Sequence, residues 1–239
     1  MIGTYLNAAA IVIAGMLALA TRRQLSAKVQ NWLKLILGVL TVIFGLRLTW
    51  LSLNGPFLQL LKQLGIVVLA LILGRLTGHL LHLQKGSNRL GRFARGLIDK
   101  SAAGKPRRFS DGFNTCAVLF CAAPLAVLGA VQGGLGNYHA PLLIKAVMDG
   151  LATMAFAAGF GWSVILAALP VLAWQGTLAL ASQAAAPFLT QYGLVDSINA
   201  TGGLLVFCVA LVILEVRRIE LTDYLPSLLF APLLTWLWR

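Results

Sequence analysis

Apolar runs of membrane-spanning length fill most of the chain, with short polar stretches between them. Eight stand out, over 3–20, 35–53, 57–83, 113–132, 141–160, 162–184, 200–216 and 222–238. A bilayer core about 30 Å thick takes about 20 helical residues, somewhat fewer where long end side chains reach the interface. The pattern predicts an all-α, polytopic transmembrane helical bundle of about eight spans, a single membrane domain over residues 1–239. The third run is long enough to extend past the lipid. Only Gly159-Phe160-Gly161-Trp162 separates the fifth run from the sixth, and no charge marks that turn, so a seven-span bundle is the alternative.

Composition agrees with the pattern. The chain is 59% hydrophobic and 11% charged, far from the soluble average of about 45–50% apolar and about 25% charged. Its net charge of +12 does not point to nucleic acid, because the basic residues punctuate apolar runs instead of forming an arm of their own. They read as topology. Arg22, Arg23, Lys28 and Lys34 follow the first run, a basic stretch from Lys85 to Arg108 follows the third, and Arg217-Arg218 follow the seventh. The positive-inside rule makes all three segments cytoplasmic with eight spans and places the N-terminus outside. Seven spans strand Arg217-Arg218 on the wrong side. The first run starts at Ile2 with no basic region ahead and no small-residue cleavage site before Thr21, so it reads as a retained helix and not a signal peptide.

Residues 84–112 form the one sizeable soluble segment, expected as a basic cytoplasmic loop facing anionic inner-leaflet lipids. Leu90, Phe93 and Leu97 within it predict a short amphipathic helix along the membrane. Gly38 to Leu46 on the second helix can be laid over Gly203 to Leu211 on the seventh with three identities. An offset of five helices reverses orientation, so this suggests an inverted repeat of helices 1–3 and 6–8, an arrangement found in secondary transporters. Cys116, Cys121 and Cys208 sit inside apolar runs, an odd number without ligand spacing, and read as small packing residues.

Against this background Leu142-Leu143-Ile144-Lys145-Ala146-Val147-Met148-Asp149 is anomalous. If Pro141 opens the fifth helix, Lys145 lies about 6 Å and Asp149 about 12 Å along its axis. An ionised side chain near mid-membrane costs about 2.5 to 3.5 kcal/mol, so each needs a partner or water. The i, i+4 spacing allows an ion pair, yet lysine ahead of aspartate is the weaker order, and a cation in the first turns opposes the helix dipole. Two readings follow. The pair is a structural lock, or it lines a polar cavity where a proton, ion or solute competes with the internal bridge.

Asn7 on the first helix, Asn114, Thr115 and Gln132 on the fourth and Gln175 on the sixth are polar groups at membrane depth that complete such a site or serve as interhelical glue. Pro124 and Pro170 are expected to interrupt the fourth and sixth helices, freeing backbone groups there. His79 and His82 share one membrane side and His139 the other, so no three-histidine metal site is expected, and no cofactor motif is present. Trp32, Trp50, Trp236 and Trp238 read as interfacial anchors.

The stretch from Gly112 to Gly176, together with "MIGTYLNAAAIVIAGMLAL", "LQKGSN" and "NATGGLLVFCVALVILEVRRIELTDYLPSLLFAPLL", resembles the bacterial domain of unknown function 554 family. The resemblance covers nearly the whole chain. It implies a polytopic bacterial inner-membrane protein, sometimes guessed to be a transporter, with no substrate attached. One departure stands out: the family tends to carry acids in the turn after the fourth helix, where this chain has Gly133 and Asn137.

HExxH, GxSxG and a paired intramembrane aspartate are all absent from the sequence, so catalysis is not expected. The expectation is a secondary transporter or permease for a small solute or ion, with its site on helices 4 to 6. A non-transporting scaffold or assembly factor working through 84–112 is the alternative. Small residues at Ala157-Ala158-Gly159 and Gly202-Gly203 allow close helix approach within or between protomers, so a homodimer is one arrangement.

Overall fold

A computed structural model describes residues 1–21, 26–102, 109–136 and 138–238. The expected basic residues Arg22, Arg23, Lys105, Arg107 and Arg108, and Asn137 of the turn, lie outside that description. The described residues hold ten α-helices and no strand. They are α1 (Ile2–Thr21), α2 (Ala27–Leu51), α3 (Phe57–Leu80), α4 (Leu83–Ala102), α5 (Phe109–Ala122), α6 (Pro124–Gly136), α7 (Ala140–Phe160), α8 (Ala168–Gln191), α9 (Val195–Ile213) and α10 (Ser227–Leu237).

Five helical stretches are long and apolar enough to cross a membrane, or six if the bent pair α5 and α6 is one span. One stretch is Ala140–Gln191, 52 residues, about 78 Å if straight and more than twice the bilayer core. The chain turns back inside it. Asn7 donates to Asp149 and to Gln175 at 3.1 and 3.2 Å, so α7 and α8 both pack against α1. The turn is Gly161, at φ +71°, where only a residue without a Cβ is unstrained. A 3-10 segment, Gly161–Ala167, leads into α8.

Several expected boundaries move, each for a local reason. The helix expected at 35–53 starts at Ala27, because the Ser26 hydroxyl caps it by accepting from the Val29 amide. Within 84–112 the described residues hold α4, longer than the short helix expected, and the first turn of α5, and α4 buries Ala94 and Leu97 while Leu90 and Phe93 stay exposed. The helix expected at 113–132 breaks into α5 and α6 with a 57° bend. Pro124 has no amide to continue the ladder, and its ring would clash with the carbonyl four residues back. Pro170 does not interrupt its helix, since it falls in the first turn of α8, where amides have no intrahelical acceptor anyway. The run 222–238 shortens to a 3-10 turn, Leu221–Tyr224, and the 11 residues of α10, with Pro226 between them.

Glycines set the packing directions. Gly3 abuts Leu142, Gly150 approaches Ala10 and Ala14, and Gly15 abuts Thr153, so α1 and α7 run parallel. Gly45 meets Gly203 and Phe207 while Gly38 meets Leu214, so α2 and α9 run antiparallel. Gly74 against Ser227 and Gly78 against Asp223 set α3 antiparallel to the last segment. One apolar cluster joins Leu37, Leu128, Ile144 and Val206, and a second joins Ile11, Phe120, Ala157 and Val171. Outward faces of α1 to α3 expose Ile13, Leu17, Ile43, Val68, Ile72 and Leu76. An apolar exterior of this extent has lipid as its solvent. Trp32, Trp50, Trp236 and Trp238 are all exposed.

The polar connections gather at one end. Lys34 pairs with Glu215, linking the start of α2 to the segment after α9. Gln84 donates its amide to Asp223 at 2.7 Å and accepts from the Thr222 amide at 3.1 Å, linking the segment after α3 to the same region.

A Cβ on Gly203 would come within 2.7 Å of the Gly45 carbonyl and the Thr49 amide, and one on Gly45 would meet Phe207 and Gly203 backbone at 2.7 and 2.8 Å. Backbone cannot step aside as a side chain can. Gly203→Ala is therefore expected to cost about 1–3 kcal/mol as an overpacked crossing, read as a lower thermal midpoint in detergent. Gly65→Ala, where nothing lies within 4 Å, is expected to be neutral or stabilising.

Candidate functional site

The site begins with helix periodicity. Lys145 and Asp149 share the inward face of α7, and the Lys145 ammonium reaches both carboxylate oxygens, at 2.8 and 2.6 Å. Lys145 is 2% exposed and Asp149 6%, so the bridge is withdrawn from water and lipid alike. One turn later the Thr153 hydroxyl donates to the Asp149 carbonyl at 2.7 Å, placing a hydroxyl on this face without neutralising the carboxylate.

Three further elements close around the pair. From α1, the Asn7 amide donates to the Asp149 carboxylate and to the Gln175 carbonyl of α8. From α5, the Phe120 ring faces the Lys145 ammonium at 5.8 Å, where the ring's negative face attracts a cation. Among the described residues, the Asn7 Oδ1 and Gln175 Nε2 atoms are buried without a hydrogen-bond partner. Leaving such groups unsatisfied costs about 1–3 kcal/mol each, so the cluster holds more hydrogen-bonding capacity than its own residues use.

A cavity of 660 Å³ opens onto this cluster. Lys145 and Asp149 line its inner part, together with Ala123, Pro124 and Leu125 at the α5 to α6 break, while Gln30, Asn31 and Lys34 of α2 line the opposite part. Val209, Val212 and Ile213 of α9 form a side wall. The passage thus runs from the end of the molecule bearing the Lys34 to Glu215 ion pair toward the middle of α7. Hydrogen bonding to Lys34, reinforced by its charge and that of Arg218, holds the Glu215 carboxyl below its usual range. A lowered carboxylate pKa keeps the pair formed above the ordinary carboxylate range and loses it only as pH falls through the lowered value.

Of the seven residues expected at the site, Lys145, Asp149, Asn7 and Gln175 come together. Thr115 is buried but donates to the Asp111 carbonyl at 2.7 Å, and Asn114 is half-buried. Neither is bonded to the pair. Gln132 is fully buried beside Gly202 of α9, with both side-chain polar atoms unpartnered among the described residues, a separate polar point on α6. Sequence reasoning missed Phe120, which carries no distinguishing mark within an apolar run, and the α2 residues Gln30 and Asn31, which precede the apolar part of that helix. Among the described residues no three His, Cys, Asp or Glu side chains gather as a metal site.

A model of the protein family described as "Protein of unknown function (DUF554)" matches residues 2–236. The chain belongs to that family. It is 30% identical over 239 residues, 99% of this chain and 97% of the relative, to "Uncharacterized protein YqgA" of Escherichia coli (strain K12). It is 25% identical over 232 residues, 97% of this chain and 94% of the relative, to "Uncharacterized membrane protein YdfK" of Bacillus subtilis (strain 168). No solved structure matches the chain. With its several apolar helices, this DUF554 protein is a membrane protein in a lipid environment.

Removing one partner of a buried ion pair leaves the other uncompensated, a loss of about 3–5 kcal/mol. Lys145→Met in this DUF554 protein is therefore expected to lower stability by about that much, and Lys145→Met with Asp149→Leu to recover most of it. Denaturant unfolding in detergent checks this. Equal losses in the single and double variants would mean that an uncompensated charge is not what destabilises the site.

Proposed function

We propose that this protein is a secondary transporter or permease for a small solute or ion. The observation that carries the reading is the cavity reaching the Lys145 and Asp149 pair from one end of the bundle. Charged groups at mid-membrane depth that face a cavity mark ion and solute pathways. Asp149 serves as the proton or cation acceptor, and Lys145 as its counter-ion or as an anion ligand. Occupancy that competes with the internal bridge favours one conformation over the other, which is the thermodynamic requirement for coupling. The break at Pro124 adds freed backbone groups beside the pair, as in broken transporter helices. The reading assigns no catalysis.

The topology proposed with it has eight spans, the N-terminus outside the bacterial inner membrane and the cavity open to the cytoplasm. Support comes from parity: the starts of α2 and α4 and the segment after α9 lie at one end, and the chain doubles back between α7 and α8. Counting the α5 to α6 pair as one crossing then makes α9 the seventh, and α10 with its preceding turn the eighth. The basic residues of those segments favour the cytoplasmic side. An inverted repeat of the first three and last three helices is supported by the packing of α2 against α9 and of α3 against α10, each pair antiparallel. The scaffold alternative is less well supported, because its proposed instrument, 84–112, is largely the helix α4 packed through Ala94 and Leu97.

Asp149→Asn keeps the shape of the site and removes its charge. It leaves Lys145 uncompensated, so the thermal midpoint is expected to fall as in Lys145→Met, and the folded protein reconstituted in proteoliposomes is expected to show no flux, measured as transport currents across a panel of small inorganic ions and organic acids, while Lys145→Met with Asp149→Leu recovers the midpoint and not the flux. Independently of substrate, Ala152→Cys in a background lacking Cys116, Cys121 and Cys208 is expected to react with a membrane-impermeant maleimide from the cytoplasmic side. Reaction from neither side would sink the proposal.

A further inference from the structure

We infer that a second pocket, on the other side of α9 from the Lys145 cavity, binds an anionic phospholipid through its phosphate. The pocket has a volume of 870 Å³. Its rim carries Arg75 of α3 and Arg217 and Arg218 after α9, with the amides of Gln84 and Asn88 beside them. Deeper in, Leu204 and Leu211 of α9 and Leu71 of α3 form the wall. Leu204 lies about 14 Å from the end of α9 at Ile213, well within the hydrocarbon. One pocket therefore joins a polar, cationic mouth at the interface to an apolar groove running into the core.

The charge at the mouth is only partly offset from within, through the field between Arg218 and Glu215. Among the described residues none of the three arginines forms an ion pair. Glu220 is the one acid on the rim. Nearby Asp223 is buried and occupied, accepting from the Gln84 amide and facing the His79 ring at 3.8 Å, and Glu215 is taken by Lys34. The Arg75 guanidinium stands over the Tyr224 ring at 5.7 Å, which limits its freedom before any ligand arrives. Guanidinium forks match phosphate oxygens two at a time, and the amides supply neutral donors. A free phosphate satisfies the mouth but has no use for the leucine groove, whereas a phospholipid fills both. On α4, Arg92 and Arg95 line a separate pocket of 650 Å³ with Ile98 and Leu119, whereas the exposed Lys85 and Arg89 line neither pocket and act only as a diffuse field.

The test is native mass spectrometry of the purified full-length protein in detergent, titrated with phosphatidylglycerol and with phosphatidylcholine of the same acyl chains. One phosphatidylglycerol is expected to be held in preference to phosphatidylcholine, and millimolar inorganic phosphate is expected not to displace it. Each arginine removed is expected to weaken retention about fivefold, so Arg217→Gln with Arg218→Gln weakens it about twenty-five-fold, from the usual contribution of one cation beside an anionic headgroup. Lys85→Gln with Arg89→Gln leaves it unchanged. Leu204→Trp, which fills the groove and keeps every arginine, is expected to expel the lipid, and it carries the test if the arginine variant does not fold. Equal retention of phosphatidylcholine, displacement by phosphate, or an equal loss from the α4 variant would each overturn the proposal, leaving respectively an unselective apolar groove, a free-phosphate site, or a diffuse basic surface.

Discussion

A lysine and an aspartate locked together in the middle of a membrane helix constrain everything around them. Neither ion tolerates hydrocarbon alone, and their mutual bridge at 2.6 Å still leaves lone pairs that need donors. The fold answers by bringing α1 alongside α7 in parallel, so that Asn7 reaches the carboxylate. Because the same Asn7 amide also reaches Gln175, α8 must return against α1. The turn at Gly161 and the small residues along the α1 to α7 contact follow from that need for close approach. Phe120 completes the enclosure and brings the break between α5 and α6 to the same depth.

Pro124 gives the pair its access. An unbroken helix across 109–136 would seal that side with a continuous ladder of satisfied backbone. The 57° bend instead places Ala123, Pro124 and Leu125 on a cavity wall. Burial and access thus coexist: the ions are almost fully shielded, yet the cavity stops at their side chains. A site sealed on all sides could only be structural, and one open to bulk water would not need Asn7 to stabilise the carboxylate.

Much of this is legible in the residues. Hydrophobic run lengths yield the all-helical membrane class, and the i, i+4 spacing of Lys145 and Asp149 predicts their bridge. The cost of burying an amide in lipid singles out Asn7 and Gln175, which reach the pair. The same reasoning picks Asn114, Thr115 and Gln132, which do not, because depth along a helix is readable from spacing while the face it turns to a given neighbour is not. Thr115 finds the nearest carbonyl on its own helix, an option open to any buried threonine. Helix ends depart from the hydropathy pattern where capping or proline chemistry outweighs it, at Ser26, Pro124 and Pro226. The helical extent of α4 is hidden because its packing face, Ala94 and Leu97, uses small and sparse apolar residues that hydropathy scarcely registers.

The two pockets share a wall, and that relation ties the chemistry together. Val209, Val212 and Ile213 face the Lys145 cavity, spaced three and four apart, while Leu204, Cys208 and Leu211 face the arginine pocket at the same helical interval. These are two faces of one helix, α9, and Leu221 just beyond it lines both spaces. At its far side α9 is pinned to α2 through Gly45 and Gly203, and at its end Lys34 and Glu215 tie the same two helices beside the cavity mouth. A rigid tilt of α9 about the glycine crossing cannot widen one space without narrowing the other, since close-packed helices transmit displacement and do not absorb it. An occupant of the arginine pocket would therefore press on the same helix whose other face lines the cavity beside Asp149.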